Sequence, residues 1–306
     1  MPRLRLTGRG LWITALIVPP LAFVALFIVY PIVSAFAYAF FEWNGMARGD
    51  FVGFDNFYKV LFAQPYAAYT WNAFRNNVVV FFALMALQNG VGFLLAYCLW
   101  RGLPGARFHR IAVFLPVVLS TIIVGYMFKL FYHPLFGVAN VSLRALGLGF
   151  LAQPWLGQDS TALWALIVAN AWHMVGFPAL VFLAGMQRIP TEVLDAVRME
   201  TQSEWVKISK IVWPLVAPSA TVVFVLLFVG AFNWFEIPYI MAGLDGSPYG
   251  STDVLGLLFY RTAFGTVSSS TQNFGMGSAL AVLIFLFIAA IASVITVKLR
   301  SREIQL

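Results

Sequence analysis

The chain has 306 residues, of which 61% are hydrophobic and 10% charged, with 30 Phe, 10 Trp and a net charge of +7. A soluble domain averages about 25% charged residues, so this chain lacks the polar surface to clothe itself in water and must turn apolar surface to lipid. Its positive charge then needs no nucleic acid, because basic residues flanking membrane spans give the same sum.

Residues 1–11, with Arg3, Arg5 and Arg9, read as a cytoplasmic basic N-terminus. The apolar run at 12–41 is longer than the roughly 7–15 residues of a signal-peptide core. It is therefore expected to stay as a first span, despite the A-x-A match at Ala35, Phe36 and Ala37. Pro19, Pro20 and Pro31 are expected to kink or break it near its ends.

Five more runs reach the length of about 20 apolar residues that a span needs. They are 73–100, 111–132, 162–186, 214–242 and 274–298. Helices are the form expected, since lipid cannot satisfy open backbone groups. The fold class is thus an all-α membrane protein of six transmembrane helices. One membrane domain covers 12–300, with a cytoplasmic tail at 301–306.

With the N-terminus inside, thirteen of the 19 basic residues fall on the inner side, five on the outer side, and Lys129 within a span. The positive-inside rule then places both termini in the cytoplasm. Lys129 is expected to snorkel to the interface. The long outer segments, rich in Gly, Asn and aromatics, are expected to be partly ordered.

Catalytic signatures are missing. The sequence has no G-x-x-x-x-G-K-[ST], H-E-x-x-H or G-x-S-x-G. Cys98 is the one cysteine, expected to act as a small buried apolar residue, and the three histidines have no metal-site spacing. No catalytic residue, bound metal or cofactor is expected on this chain.

Polar residues deep in spans are functional candidates. Asn170 and His173 share one face of the fourth run at i and i+3, with Gly176 continuing it and Phe177 adjacent. Bonding between helices would explain the first two equally well. Gln88 and Asn89 read as interhelical packing residues, and Gly92 with Ala96 as a close helix contact.

The polar stretch EVLDAVRMETQSEWVKISKIVWPLVAP, 192–218, interrupts the apolar runs on the expected cytoplasmic side. Val193, Leu194, Ala196 and Val197 suggest one apolar face of a short helix opened by Thr191. Ser203 is a candidate N-cap for a second helix carrying Trp205, Ile208, Ile211 and Val212 on one side. Pro214 would then open the fifth span.

This stretch resembles the EAA loop of ATP-binding-cassette import permeases of the binding-protein-dependent sugar group. The matching positions are Ile189-Pro190, Glu192, Asp195-Ala196, Arg198, Met199-Glu200, Ser203, Trp205, Ile211, Pro214-Leu215 and Pro218. FVGFDNFYKVL at 51–61, FRNNVVV at 74–80, 108–140 and GSTDVLGLLFYRTAF at 250–264 resemble further family segments, so the likeness spans about 12–300. Thr201 departs from the family, which has Gly there. A Gly would take positive φ between the helices, where Thr costs about 1 kcal/mol, so either the turn differs or it is strained.

The resemblance implies the type I importer permease fold in a bacterial or archaeal inner membrane. It implies a second homologous permease, two ATPase subunits that hold ATP and Mg, and an extracytoplasmic solute-binding protein. It implies that 187–213 couples to the ATPase through Glu192, Asp195, Ala196, Arg198, Glu200, Thr201, Ser203 and Trp205. It implies a solute path along Asn170, His173, Gly176, Phe177, Asn233, Trp234, Glu236 and Tyr239. The solute expected is a di- or oligosaccharide. A glycerol phosphate, polyol or other small solute is the alternative, and a membrane scaffold or enzyme a remote one.

Overall fold

The computed structural model of the chain describes residues 8–45, 47–266 and 272–300, with side chains left aside at 8–11, Arg198 and Arg300. Arg3, Arg5 and Arg302 of the basic ends, the tail 301–306 and part of the third outer segment lie outside the described residues.

Helices dominate, as expected. Trp12–Tyr38, Tyr66–Trp100 and Phe274–Leu299 are each long and apolar enough to cross a membrane. Three further candidates qualify as helix pairs bent at a break. These are Ala106–Val118 with Thr121–Phe131 at 99°, Asp159–Met174 with Gly176–Met186 at 43°, and Glu204–Leu215 with Ala217–Phe232 at 74°. The spans therefore number three to six by length and composition, on the runs where the sequence places them.

The breaks fall elsewhere than expected. The first span runs as one helix through Pro19, Pro20 and Pro31, with a π-helical turn at Ala25–Val29. The bends instead lie beside Pro116, Pro178 and Pro218. Pro178 and Pro218 lack the N–H that would bond four residues back, so the turn before each loosens, whereas the third-span bend follows Pro116, where Leu119 and Ser120 turn extended. The fifth run is interrupted twice. Its helix leaves the second loop helix at Val216, not at Pro214, and stops at Phe232, before a short helix at Glu236–Ala242.

The all-α expectation also misses a hairpin. Phe41–Asn44 pairs antiparallel with Ala47–Phe51, Phe41 opposite Phe51 and Trp43 opposite Arg48. Three asparagines pin the segments at this end of the bundle. Asn56 donates to the carbonyls of Ala39 and Phe41, both at 2.9 Å. Asn77 donates to Ala231 O and accepts from Leu255 N at 2.8 Å. Asn140 accepts from the Trp155 indole at 2.8 Å and donates to Pro134 O and Gln153 O.

Two apolar clusters hold the bundle. The larger joins the second, third, fourth and sixth spans and the helix at Leu255–Phe264 through fully buried Val80, Val124, Leu166, Ile167, Leu257 and Leu280. The second lies at the end that carries 187–213, where Phe93, Phe182, Met186 and Val212 meet under Val193, Leu194 and Ile208. The expected close contact at Gly92 is present: a Cβ there would stand 2.9 Å from Pro178 Cγ. Cys98, in contrast, is exposed, on a helix face turned away from the bundle. An apolar run alone does not say which of its faces meets lipid.

Candidate functional site: a polar cleft and a two-helix loop

The first site grows from the interruptions of the helices. Non-helical backbone at membrane depth is tolerated only inside protein or along a cavity. At 233–235 the fifth run leaves the helix, and Pro238 cannot donate back to Trp234 O. This stretch borders a cleft of about 430 Å³, lined also by the second span, by Thr121 at the third-span break and by the fourth span at its bend.

A hydrogen-bonded ladder crosses one wall. The buried Trp234 indole donates to Asn170 Oδ1 at 3.1 Å, and Asn170 Nδ2 donates to Gln88 Oε1 at 3.3 Å. Aromatic faces beside amides suit a solute that offers both C–H surface and hydroxyls. Among the described residues, Glu236 is the one carboxylate on the lining, and neither Lys nor Arg lines it.

Of the solute-path residues read from the sequence, Asn170, His173, Phe177, Asn233, Trp234 and Glu236 come together on this cleft. His173 also does structural work. Its Nε2 lies 3.0 Å from Leu119 O at the bend of the third span, and a carbonyl can only accept, so the nitrogen donates. Gly176 lies off the cleft, against the third span, where a Cβ would stand 2.4 Å from Val113 O. Tyr239 stacks on Phe235 at 5.4 Å and is half-exposed, also off the cleft. Gln88 and Asn89, read from sequence as packing residues, line it. Their signal is a π-helical turn at Met85–Gly90, which no periodicity rule announces.

The second site is the loop. Thr191–Glu200 forms the first helix, and 204–215 the second, whose centre at Lys207–Val212 is π-helical. Val193, Leu194 and Val197 turn inward, while Glu192, Asp195, Ala196 and Glu200 are exposed. Ala196 thus leaves the apolar face that the sequence suggests, and so does Trp205, 75% exposed. Arg198 lies on the first helix, its side chain outside the description. Thr201 is unstrained. It is extended, at φ −151°, and its Oγ1 accepts from Ser203 N at 3.1 Å, so the turn differs from one that needs Gly. Ser203 occupies the N-cap position without a side-chain cap bond.

Glu204 ties this loop to the second span. Its carboxylate accepts from the Tyr97 hydroxyl and from Arg101, each at 2.5 Å, and from Lys207 at 3.1 Å. These bonds, Tyr97 first, hold the Glu204 carboxyl down to about 2, while Glu204 raises Arg101.

Residues 88–304 match the family described as binding-protein-dependent transport system inner membrane component. The probable starch degradation products transport system permease protein AmyD of Thermoanaerobacterium thermosulfurigenes is 27% identical over 298 residues, 97% of each chain. The multiple sugar-binding transport system permease protein MsmF of Streptococcus mutans is 30% identical over 292 residues, 95% of this chain and 96% of that protein. A chain from the crystal structure of a bacterial ABC transporter involved in the import of alginate, an acidic polysaccharide, superposes with a TM-score of 0.80. It is 20% identical and the match covers 96% of both chains, a likeness of fold.

Proposed function

The chain belongs to the binding-protein-dependent transport system inner membrane components, the permease subunits of ABC importers, and from that premise we propose that it passes a di- or oligosaccharide across the membrane. The observation that carries the sugar reading is the Trp234–Asn170–Gln88 ladder on a cleft lined by one carboxylate and no cation. A sugar stacks its C–H faces on aromatics and satisfies its hydroxyls on amides. The absence of a basic lining residue weighs against a phosphate-bearing solute. The relatives named above as transporting starch products and multiple sugars support the same class.

We further propose that 12–300 is a single permease domain with both termini inside and with 187–213 as its cytoplasmic coupling loop. A second permease subunit completes the pathway, and a binding protein delivers solute from outside. Two ATPase subunits hold ATP and Mg and carry out hydrolysis. The exposed face of the first loop helix, Glu192, Asp195, Ala196 and Met199 at i, i+3, i+4 and i+7, meets an ATPase cleft. The inward face is packed on the bundle, so a push on the loop reaches the spans as one body. Nucleotide then biases two arrangements of the interface.

The test uses the reconstituted importer. Ala196→Trp or Asp195→Arg should abolish solute-stimulated ATP hydrolysis while the protein stays in the membrane, and unchanged coupling in both would refute the loop assignment. Asn233→Ala and Trp234→Ala should lower uptake with docking intact, and wild-type uptake in both would refute the cleft assignment.

A further inference from the structure

Among the described residues, two buried side-chain oxygens have no hydrogen-bond partner, Asn89 Oδ1 and Ser251 Oγ. Ser251 is a rotatable hydroxyl away from the cleft. Asn89 is different. It is 5% exposed and lines the cleft. Its amide nitrogen makes one weak contact, to Met85 Sδ at 3.6 Å within the same turn. That contact orients the side chain and leaves the oxygen over.

The neighbouring amides account for themselves. Gln88 Oε1 accepts from Asn170, and Asn170 Oδ1 accepts from Trp234. Among the described residues, Asn89 Oδ1 is therefore the buried amide oxygen on this cleft without a protein partner. An unmatched buried acceptor is costly in a low-dielectric site, and such groups have a reason to be there. The local backbone points the same way. Gln88 and Asn89 sit in the π-helical turn Met85–Gly90, a distortion that recurs at functional sites because it re-aims side chains.

We propose that Asn89 is a solute-binding, specificity-determining residue, whose Oδ1 accepts a hydrogen bond from a hydroxyl or amide N–H of a neutral saccharide in the cleft. This rests on the reading that the cleft carries the solute, and it adds the second span to the walls that recognise it. A solute lacking a donor at this position leaves the oxygen unmatched and is rejected. Discrimination of this kind is strong because the penalty falls on a buried group.

The experiment is equilibrium binding of radiolabelled maltose, trehalose and N,N′-diacetylchitobiose to the complete importer in nanodiscs, without binding protein. Uptake at saturating binding protein is measured alongside. Asn89→Leu keeps the shape and removes the oxygen. It should raise the Kd of the sugar bound by the wild type by about tenfold or more. Asn89→Asp keeps the oxygen and should restore binding. An unchanged Kd in Asn89→Leu overturns the proposal. So does equal loss in Asn89→Leu and Asn89→Asp, which marks a structural role. If Asn89→Leu does not assemble, Asn89→Ala, which also removes the oxygen, is read by the same criterion. Asn233→Ala separates the two levels: altered there and unaltered in Asn89→Leu, only this inference fails; unaltered in both, the cleft assignment fails with it. A wild type that neither binds nor takes up any of the three sugars overturns the sugar reading and this inference together.

Discussion

Arg101 and Glu204 meet at 2.5 Å across 103 positions of sequence, joining the end of the second span to the second loop helix. Both side chains are about half-exposed, 49% and 46%. A half-exposed pair is screened and contributes little to folding. What it does is fix geometry, since Tyr97, Arg101 and Lys207 converge on one carboxylate. Glu204→Gln should therefore leave expression and thermal stability near wild type. It should lower solute-stimulated ATP hydrolysis by about three- to tenfold, the range for residues along a coupling path. Parallel assays of melting and ATPase stimulation check this.

The same cluster sets a pH window. The ordinary carboxyl value is 4.5, and here hydrogen bonds from Tyr97, Arg101 and Lys207 lower it to about 2. A depressed carboxyl contributes fully above its unfolded value and loses that contribution as pH falls through the folded value. Glu204 thus stays charged at every pH a cell presents. The ratio of stimulated to basal ATP hydrolysis in the wild type should be flat from about pH 5.5 to 8 in this respect. A latch of unshifted carboxylate would begin to open below about pH 5.5. Comparing pH profiles of wild type and Glu204→Gln separates this group from others.

The runs that become spans were legible because about twenty apolar residues have few other uses. The bends were not, because a proline distorts a helix only as far as its surroundings allow. At Leu119 the carbonyl at the third-span bend finds His173, and the bend is kept. Pro19 and Pro20 stay helical on a first span whose apolar residues are largely exposed. The hairpin escaped notice because its second strand, Ala47–Phe51, is exposed throughout its described residues, with no alternation to read. Trp205, 75% exposed, lies off the apolar face that its spacing suggests. The π turn at Lys207–Val212 adds a residue to the helix and rotates what precedes it against Val212. The cleft is half legible: Asn170, Trp234 and Asn233 stand out as polar or amphipathic groups in apolar runs, whereas Gln88 and Asn89 read as packing residues between helices.

Gly176 gives a prediction that tells packing from solute contact. A Cβ there would stand 2.4 Å from Val113 O and 2.9 Å from Val117 Cγ2. Backbone cannot yield as a flexible side chain does, so the third and fourth spans must part. Overpacking of this kind costs about 1–3 kcal/mol. Gly176→Ala should lower the melting point and yield of the assembled importer. In the fraction that assembles, the Kd for sugar should stay near wild type. A weakened Kd with normal stability would return Gly176 to the solute path.

Asp253 and Arg261 form an enclosed ion pair, with side chains 2% and 17% exposed. Two parallel bonds join them, at 2.6 and 2.5 Å, and Arg261 also donates to Leu244 O. Burial raises the Asp253 carboxyl, and its bonds to Arg261 only partly pull it back. A carboxyl raised on folding favours the protonated form, so ionising Asp253 costs the folded state some stability as pH rises. The pair's value lies in holding Leu244 and Asp253 beside the 255–264 helix. The two single variants should then differ. Arg261→Met strands a carboxylate with almost no access to solvent and should cost about 3–5 kcal/mol. Its deficit should shrink as pH falls, because a proton on Asp253 removes the stranded charge. Asp253→Asn leaves a guanidinium that reaches solvent and keeps Leu244 O, and should cost less. Replacing both, as Asp253→Leu with Arg261→Met, should recover stability relative to Arg261→Met alone. Thermal denaturation of the four proteins between about pH 5 and 8 measures this, and a double variant worse than both singles would show that the pair is a net stabiliser.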